Sequence, residues 1–195
     1  MTIATSKPMT MEEYLNYDDG TDTRYELIDG QLVEMGAESD INVVIGSFLM
    51  QLFFQLVPYY CVRRGTEMVV EGELANTRFP DLVVISEAGA KALKGKKRSL
   101  ITLDMPAPLL AVEIVSSSNT DKASRDRDYI RKRQEYAQRN IPEYWIIDPI
   151  EEKIIVCTLH KKAYAQKQFE GTQRIVSQQF PNLDIYADQI LEAGL

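Results

Sequence analysis

The run LLAVEIV, residues 109–115, is apolar at every position but Glu113. Such a run reads as a buried β-strand, and the polar Ser116–Asn119 that follows reads as the loop at its exit. A carboxylate among aliphatic neighbours is costly to desolvate unless something pairs with it. The strand therefore sets two requirements at once: a sheet to bury it, and a partner for Glu113.

The rest of the chain supplies elements for that sheet. Thr10–Glu13 has capping-box spacing and starts a short helix. In RYELIDGQLVEM, residues 24–35, two alternating arms flank Asp29–Gly30, the signature of a hairpin with a type I′ turn. Ser39 caps a long helix through about Leu56, and Pro58 ends it. YYCVRR, EMVVEGEL and TRFPDLVVIS read as strands, with Pro80 at the mouth of the last and Asp81 first inside. Residues 87–98 read as a small helix ending in a basic run, and Asp104–Pro108 as an irregular lead-in to the strand of Glu113. A helix from about Thr120 to Arg139 ends with Asn140 as a left-handed cap and Pro142 as a stop. EYWIID and KIIVCTL are the last strands, followed by a closing loop and short helix. No repeat, low-complexity segment or linker interrupts them. The pattern gives one α/β (α+β) domain over residues 10–190, a mixed sheet with two principal helices, after a flexible N-terminus at residues 1–9.

Composition narrows the function classes. The 195 residues carry a net charge of −7, so a general nucleic-acid coat is excluded and any nucleic-acid contact has to use a local basic patch. Cys61 and Cys157 lack paired spacing, which argues for reduced thiols and against a disulfide framework or zinc knuckle. MTIATSKPMT lacks the apolar core of a signal peptide, and the greasy run Val43–Tyr60 is too short and polar to span a bilayer. A cytoplasmic protein without membrane contact is expected. The single histidine, His160, sits at a polar strand end, so histidine triads and histidine metal sites are set aside. Chemistry here rests on carboxylates, Lys, Tyr or Ser.

Asp81 opens one strand and Glu113 lies near the exit of another. If the two strands are antiparallel neighbours, both carboxylates converge at one sheet edge; parallel pairing separates them by several residues at about 3.3 Å each. Convergent carboxylates repel unless a cation lies between them or one takes a proton. Mg²⁺ suits such a site, since it wants hard oxygen ligands and tolerates partial hydration. On the helix after the strand, Asp128, Lys132 and Tyr136 fall at i, i+4 and i+8, with Tyr129 and Tyr136 marking the side turned to the sheet. Lys132 lies on the flank of that side and Arg133 nearer its centre, and spacing alone does not choose between them. Ser116 opens a loop able to face a phosphate, and the run KALKGKKR, residues 91–98, is a candidate backbone contact beside its plainer reading as solvated surface.

Taken in order, PDLVVI, VEIVSSSN and RDRDYIRKRQEYAQRNIPEYWIIDP resemble the Uma-two family of restriction-endonuclease-like proteins, within the PD-(D/E)XK nuclease superfamily. The resemblance implies a mixed central sheet flanked by helices with an added N-terminal hairpin. It also implies Mg²⁺-dependent phosphodiester hydrolysis, with Mn²⁺ able to substitute, on nucleic acid, DNA foremost, by a homodimer. It places the metal-binding carboxylates at Asp81 and Glu113. The superfamily lysine, expected two residues after the Glu, is replaced by Val115, and Lys132 on the next helix takes its role. A His that many relatives carry three positions after a Ser falls at Asn42, after Ser39. Glu26 in the hairpin is a further site-lining candidate, with Ser116, Asp128 and Tyr136. The departures at Val115 and Asn42 leave an alternative: a catalytically inactive nuclease fold that binds nucleic acid or protein.

Overall fold

The computed structural model describes residues 2–3, 7–116 and 122–194, and of residues 2–3 and 122–128 the backbone alone. The N-terminal part comprises β1 (Thr2–Ile3), α1 (Met11–Leu15), β2 (Tyr25–Ile28), β3 (Gln31–Glu34) and α2 (Asp40–Phe54). Five short strands and a helix follow: β4 (Val62–Arg63), β5 (Glu67–Val70), β6 (Asn76–Arg78), β7 (Leu82–Val84), α3 (Glu87–Leu93) and β8 (Leu100–Ile101). The chain continues with β9 (Leu110–Ile114), α4 (Lys122–Gln138), β10 (Glu143–Asp148), β11 (Lys153–His160), β12 (Ala163–Phe169) and α5 (Ala187–Leu191).

The central sheet has six strands in the order β12-β11-β10-β9-β7-β4. Only β9 and β10 run parallel, joined by the α4 crossover, so the sheet is mixed as expected. Its two faces follow the period of two along each strand. Leu82, Val84, Leu110, Val112 and Ile114 pack with α2, α5 and the C-terminal loop. Val83, Ala111 and Val115 face the other way, toward α3, Tyr136 of α4 and the small sheet β6-β5-β8. Glu113 has the parity of this second face, which turns it toward α4. The C-terminal loop is fastened by Glu143: one of its oxygens accepts from Trp145 Nε1 and Ser177 Oγ, the other from the backbone N–H groups of Gln178 and Gln179.

Local signals hold where the chemistry is local. Thr10 makes the full capping box. Asp29 and Gly30 have φ of 49° and 70°, the values of a type I′ turn, between antiparallel β2 and β3. A Cβ at Gly30 would meet Pro8 Cβ at 2.6 Å, so close approach as well as φ requires glycine there. Asn140, at φ 62°, closes α4 as a left-handed cap.

Four expectations are corrected. YYCVRR is not one strand: after Pro58, Tyr59–Cys61 form a 3-10 turn and only Val62–Arg63 pair, so Cys61, though buried, lies outside any strand. TRFPDLVVIS is broken at Phe79–Asp81, because Pro80 cannot donate to a ladder; its halves join different sheets. The helix begun at residue 87 ends at Leu93, ahead of Gly95 at φ 78°. Ser39 precedes α2 but makes no side-chain cap bond; its hydroxyl donates instead to Asn42 Oδ1. Among the described residues no helix is long and apolar enough to cross a membrane. Of the expected flexible N-terminus, residues 1 and 4–6 lie outside the described residues, while Thr2–Ile3 pair with β3 and the Met9 N–H donates to the Gly30 carbonyl at 2.8 Å.

Candidate active site

Strands β7 and β9 are antiparallel, with Leu82 opposite Val112 and Val83 opposite Ala111. One step further along this register puts Asp81 opposite Glu113, the convergence that antiparallel pairing demands. Asp81 Oδ2 accepts from the backbone N–H of Ile114 at 2.6 Å, which locks its carboxylate across the end of β9. Glu113 is buried, and α4 supplies its partners. Lys132 Nζ donates to Glu113 Oε2 at 2.9 Å, and the buried Tyr136 hydroxyl donates to Oε1 at 2.8 Å. The geometry thus separates the two basic candidates: Lys132 reaches Glu113, whereas Arg133 donates to Gln166 on β12 at 2.6 Å.

Electrostatics at this spot are strained. Burial pushes the Glu113 carboxyl up to about 7, against the pull of the Lys132 ammonium and with repulsion from Asp81 and Glu26. Burial also raises Asp81, opposed by the Ile114 N–H and by Lys132. The Tyr136 hydroxyl is held well above its ordinary value by burial and by the Glu113 charge, so it donates its proton and keeps it.

An open cleft of about 610 Å³ exposes this group, with Glu26, Asn42, Asp81, Glu113, Ser116 and Lys132 along its wall. Asn42 Nδ2 donates to the carbonyl of Ile114 at 3.2 Å, tying the start of α2 to the end of β9. Glu26 accepts from the backbone N–H of Phe79 at 2.8 Å and faces the Arg78 guanidinium at 3.3 Å. Tyr136 stands behind the cleft as the support of Glu113. Asp128 lies on the part of α4 whose side chains are outside the described residues, as do Ser117–Asn119 of the exit loop.

The position of α4 is fixed by an ion-pair cluster that the sequence did not reveal. Arg78 is fully buried and donates to both oxygens of Glu135, at 2.7 and 3.0 Å. Arg131 donates to Glu135 at 2.8 Å and grips both oxygens of Asp29 at 2.8 and 2.7 Å. Hairpin turn, β6 and α4 are thereby clamped one residue from Lys132. Sequence reading also missed Arg24 and Glu38 on the cleft wall, and Arg64, which pairs with Glu38 and donates to the Asp81 carbonyl at 3.2 Å. Glu38 and Arg64 meet across 26 residues, so no local spacing announces the pair.

The donor set tests the implied metal. Asp81 and Glu113 offer hard oxygens only, and no group of three or more His, Cys, Asp or Glu able to hold a metal occurs among the described residues. Two carboxylates at an open cleft fit a Mg²⁺ ion that keeps several waters, and do not form a closed protein cage.

Residues 11–188 match the family described as "Uma2: Putative restriction endonuclease". The chain is a member of the Uma2 family. Among solved structures, this Uma2 chain is similar to a protein from Anabaena variabilis ATCC 29413, titled a "putative nuclease belonging to DUF820". The TM-score is 0.69 at 16% identity, over 96% of this chain and 100% of the other. At that identity the likeness establishes a shared fold. No curated protein matches the Uma2 chain.

Proposed function

We propose that the protein is a Mg²⁺-dependent nuclease that hydrolyses phosphodiester bonds of nucleic acid, DNA foremost. The observation that carries this reading is the meeting of Asp81, Glu113 and Lys132 at one open cleft, two carboxylates with a cation donating to one of them. Asp81 and Glu113 would hold the ion, which supplies Lewis-acid stabilisation of the phosphate and a more acidic bound water. Lys132, close enough to Glu113 to share the site, orients the attacking water and offsets charge developing on the phosphate. Tyr136 and the Ile114 N–H hold the two carboxylates in place. The family description and the shared fold support the same reading.

A binding module without turnover is the competing reading. What favours it is that each Glu113 oxygen already has a donor, Lys132 on one and Tyr136 on the other. Cleavage assays on single- and double-stranded DNA and RNA with Mg²⁺ separate the two. A nuclease degrades at least one of these, and Lys132→Ala lowers its rate about 10²–10³-fold, the usual cost of removing one transition-state donor. Binding of nucleic acid with no cleavage of any form selects the module.

A further inference from the structure

The cleft does not end at Glu113. Arg24 and Phe79 line it, and the same two residues line a second hollow of about 200 Å³ and a third of about 270 Å³ that reaches back to Asp81. The second hollow carries aromatic side chains: Tyr17 and Tyr25 meet edge-to-face there, centroids 5.9 Å apart at 85°, with Phe79 at the junction. Its volume is small beside the roughly 300–1,000 Å³ of drug-sized pockets, which restricts it to a single ring system.

Charge in the hollow is mixed, two carboxylates against two guanidiniums. The wall carries two carboxylates, Asp18 and Asp19, both used by their own loop. Asp18 accepts from the Gly20 N–H, and Asp19 accepts from Thr21 N–H, Thr21 hydroxyl and the Tyr25 hydroxyl. Arg98 at the back pairs with the buried Glu67 at 2.7 Å and lies over the Tyr14 ring. Arg24 differs from these. Its side chain is exposed and makes no hydrogen bond or ion pair among the described residues, at the point where the three hollows meet.

An aromatic hollow beside an exposed guanidinium, one step along a groove from the candidate scissile position, matches the grammar of single-strand recognition, in which bases stack on aromatics and phosphates meet cations. A base inside a duplex has both faces covered by its neighbours and cannot enter; an unpaired one can. Resting on the nuclease reading, we infer that this hollow is a stacking subsite for one unpaired base of a single-stranded nucleic acid. Arg24 holds the phosphate that links that base to the cleft.

The test is binding in EDTA, where cleavage cannot interfere: fluorescence anisotropy with a labelled twelve-nucleotide oligothymidine and with a hairpin duplex of equal length. The proteins are wild type, Tyr17→Ala, Tyr17→Phe, Arg24→Ala and Lys162→Ala, the last on the β11–β12 turn at the other sheet edge, each checked for an unchanged melt. The expected result is preference for the single strand, weakened about tenfold by Tyr17→Ala and by Arg24→Ala, and kept by Tyr17→Phe and Lys162→Ala. Single-strand binding that Tyr17→Ala and Arg24→Ala leave unchanged, or a preference for the duplex, overturns the subsite and leaves the nuclease reading standing. Binding of neither nucleic acid by the wild type overturns the subsite, while the nuclease reading is decided by the cleavage assays with Mg²⁺.

Discussion

Glu113 is costly to keep ionised, and that cost has a measurable sign. Its carboxyl, ordinarily near 4.5, is pushed up to about 7 by burial beside Asp81 and Glu26. A carboxyl with a raised value binds its proton more tightly folded than unfolded, so stability is greatest below about 4.5 and falls as pH rises toward about 7. The difference is on the order of 3 kcal/mol at most. In metal-free buffer, denaturant titrations should therefore show wild type losing stability relative to Glu113→Gln between pH 5 and pH 8. Parallel pH profiles for the two proteins would contradict the burial argument. The sequence exposed the carboxylates themselves, because a Glu inside LLAVEIV and an Asp at a strand mouth are visible as violations of the apolar pattern. It could not choose Lys132 over Arg133: the rotation of α4 depends on which guanidinium finds Glu135, and that partner, Arg78, lies 57 residues away.

At the scale of elements, α4 is the part on which the site depends. The clamp of Arg78, Glu135, Arg131 and Asp29 holds it against β6 and the β2–β3 turn. Glu135→Ala leaves a fully buried guanidinium with only Glu26 near it, and breaking a buried pair in this way costs about 3–5 kcal/mol. Chemical denaturation should show that loss, against a much smaller effect of Asp29→Asn at the exposed end of the clamp. Elements whose causes are local were readable in advance: the Thr10 box, the Asp29–Gly30 turn, the Asn140 cap. Those whose causes are not local were missed. Strand β12, Ala163–Phe169, is an exposed, polar edge strand without apolar alternation, and β8 has two residues whose only ladder partner is β5. The Phe79–Asp81 break became visible only once its two halves had different sheets to join.

Over the whole molecule, the fold brings chemistry to one edge by a simple rule. Antiparallel β7 and β9 set Asp81 against Glu113, and the crossover from β9 to its parallel neighbour β10 carries α4 across the sheet face that Glu113 occupies. The cleft wall carries six carboxylates, Asp22, Glu26, Glu34, Glu38, Asp81 and Glu113, beside Arg24 and Lys132, so a polyanion needs a bound cation to approach it. We propose that this edge holds a divalent cation, and calorimetric titration of Mn²⁺ into wild type and Glu113→Gln at pH 8 tests it without any substrate. Mn²⁺ is the better probe because such oxygen sites hold it more tightly than Mg²⁺. Saturable binding to the wild type that disappears in Glu113→Gln is the predicted result. Equal binding to both proteins, or none to the wild type, would contradict it.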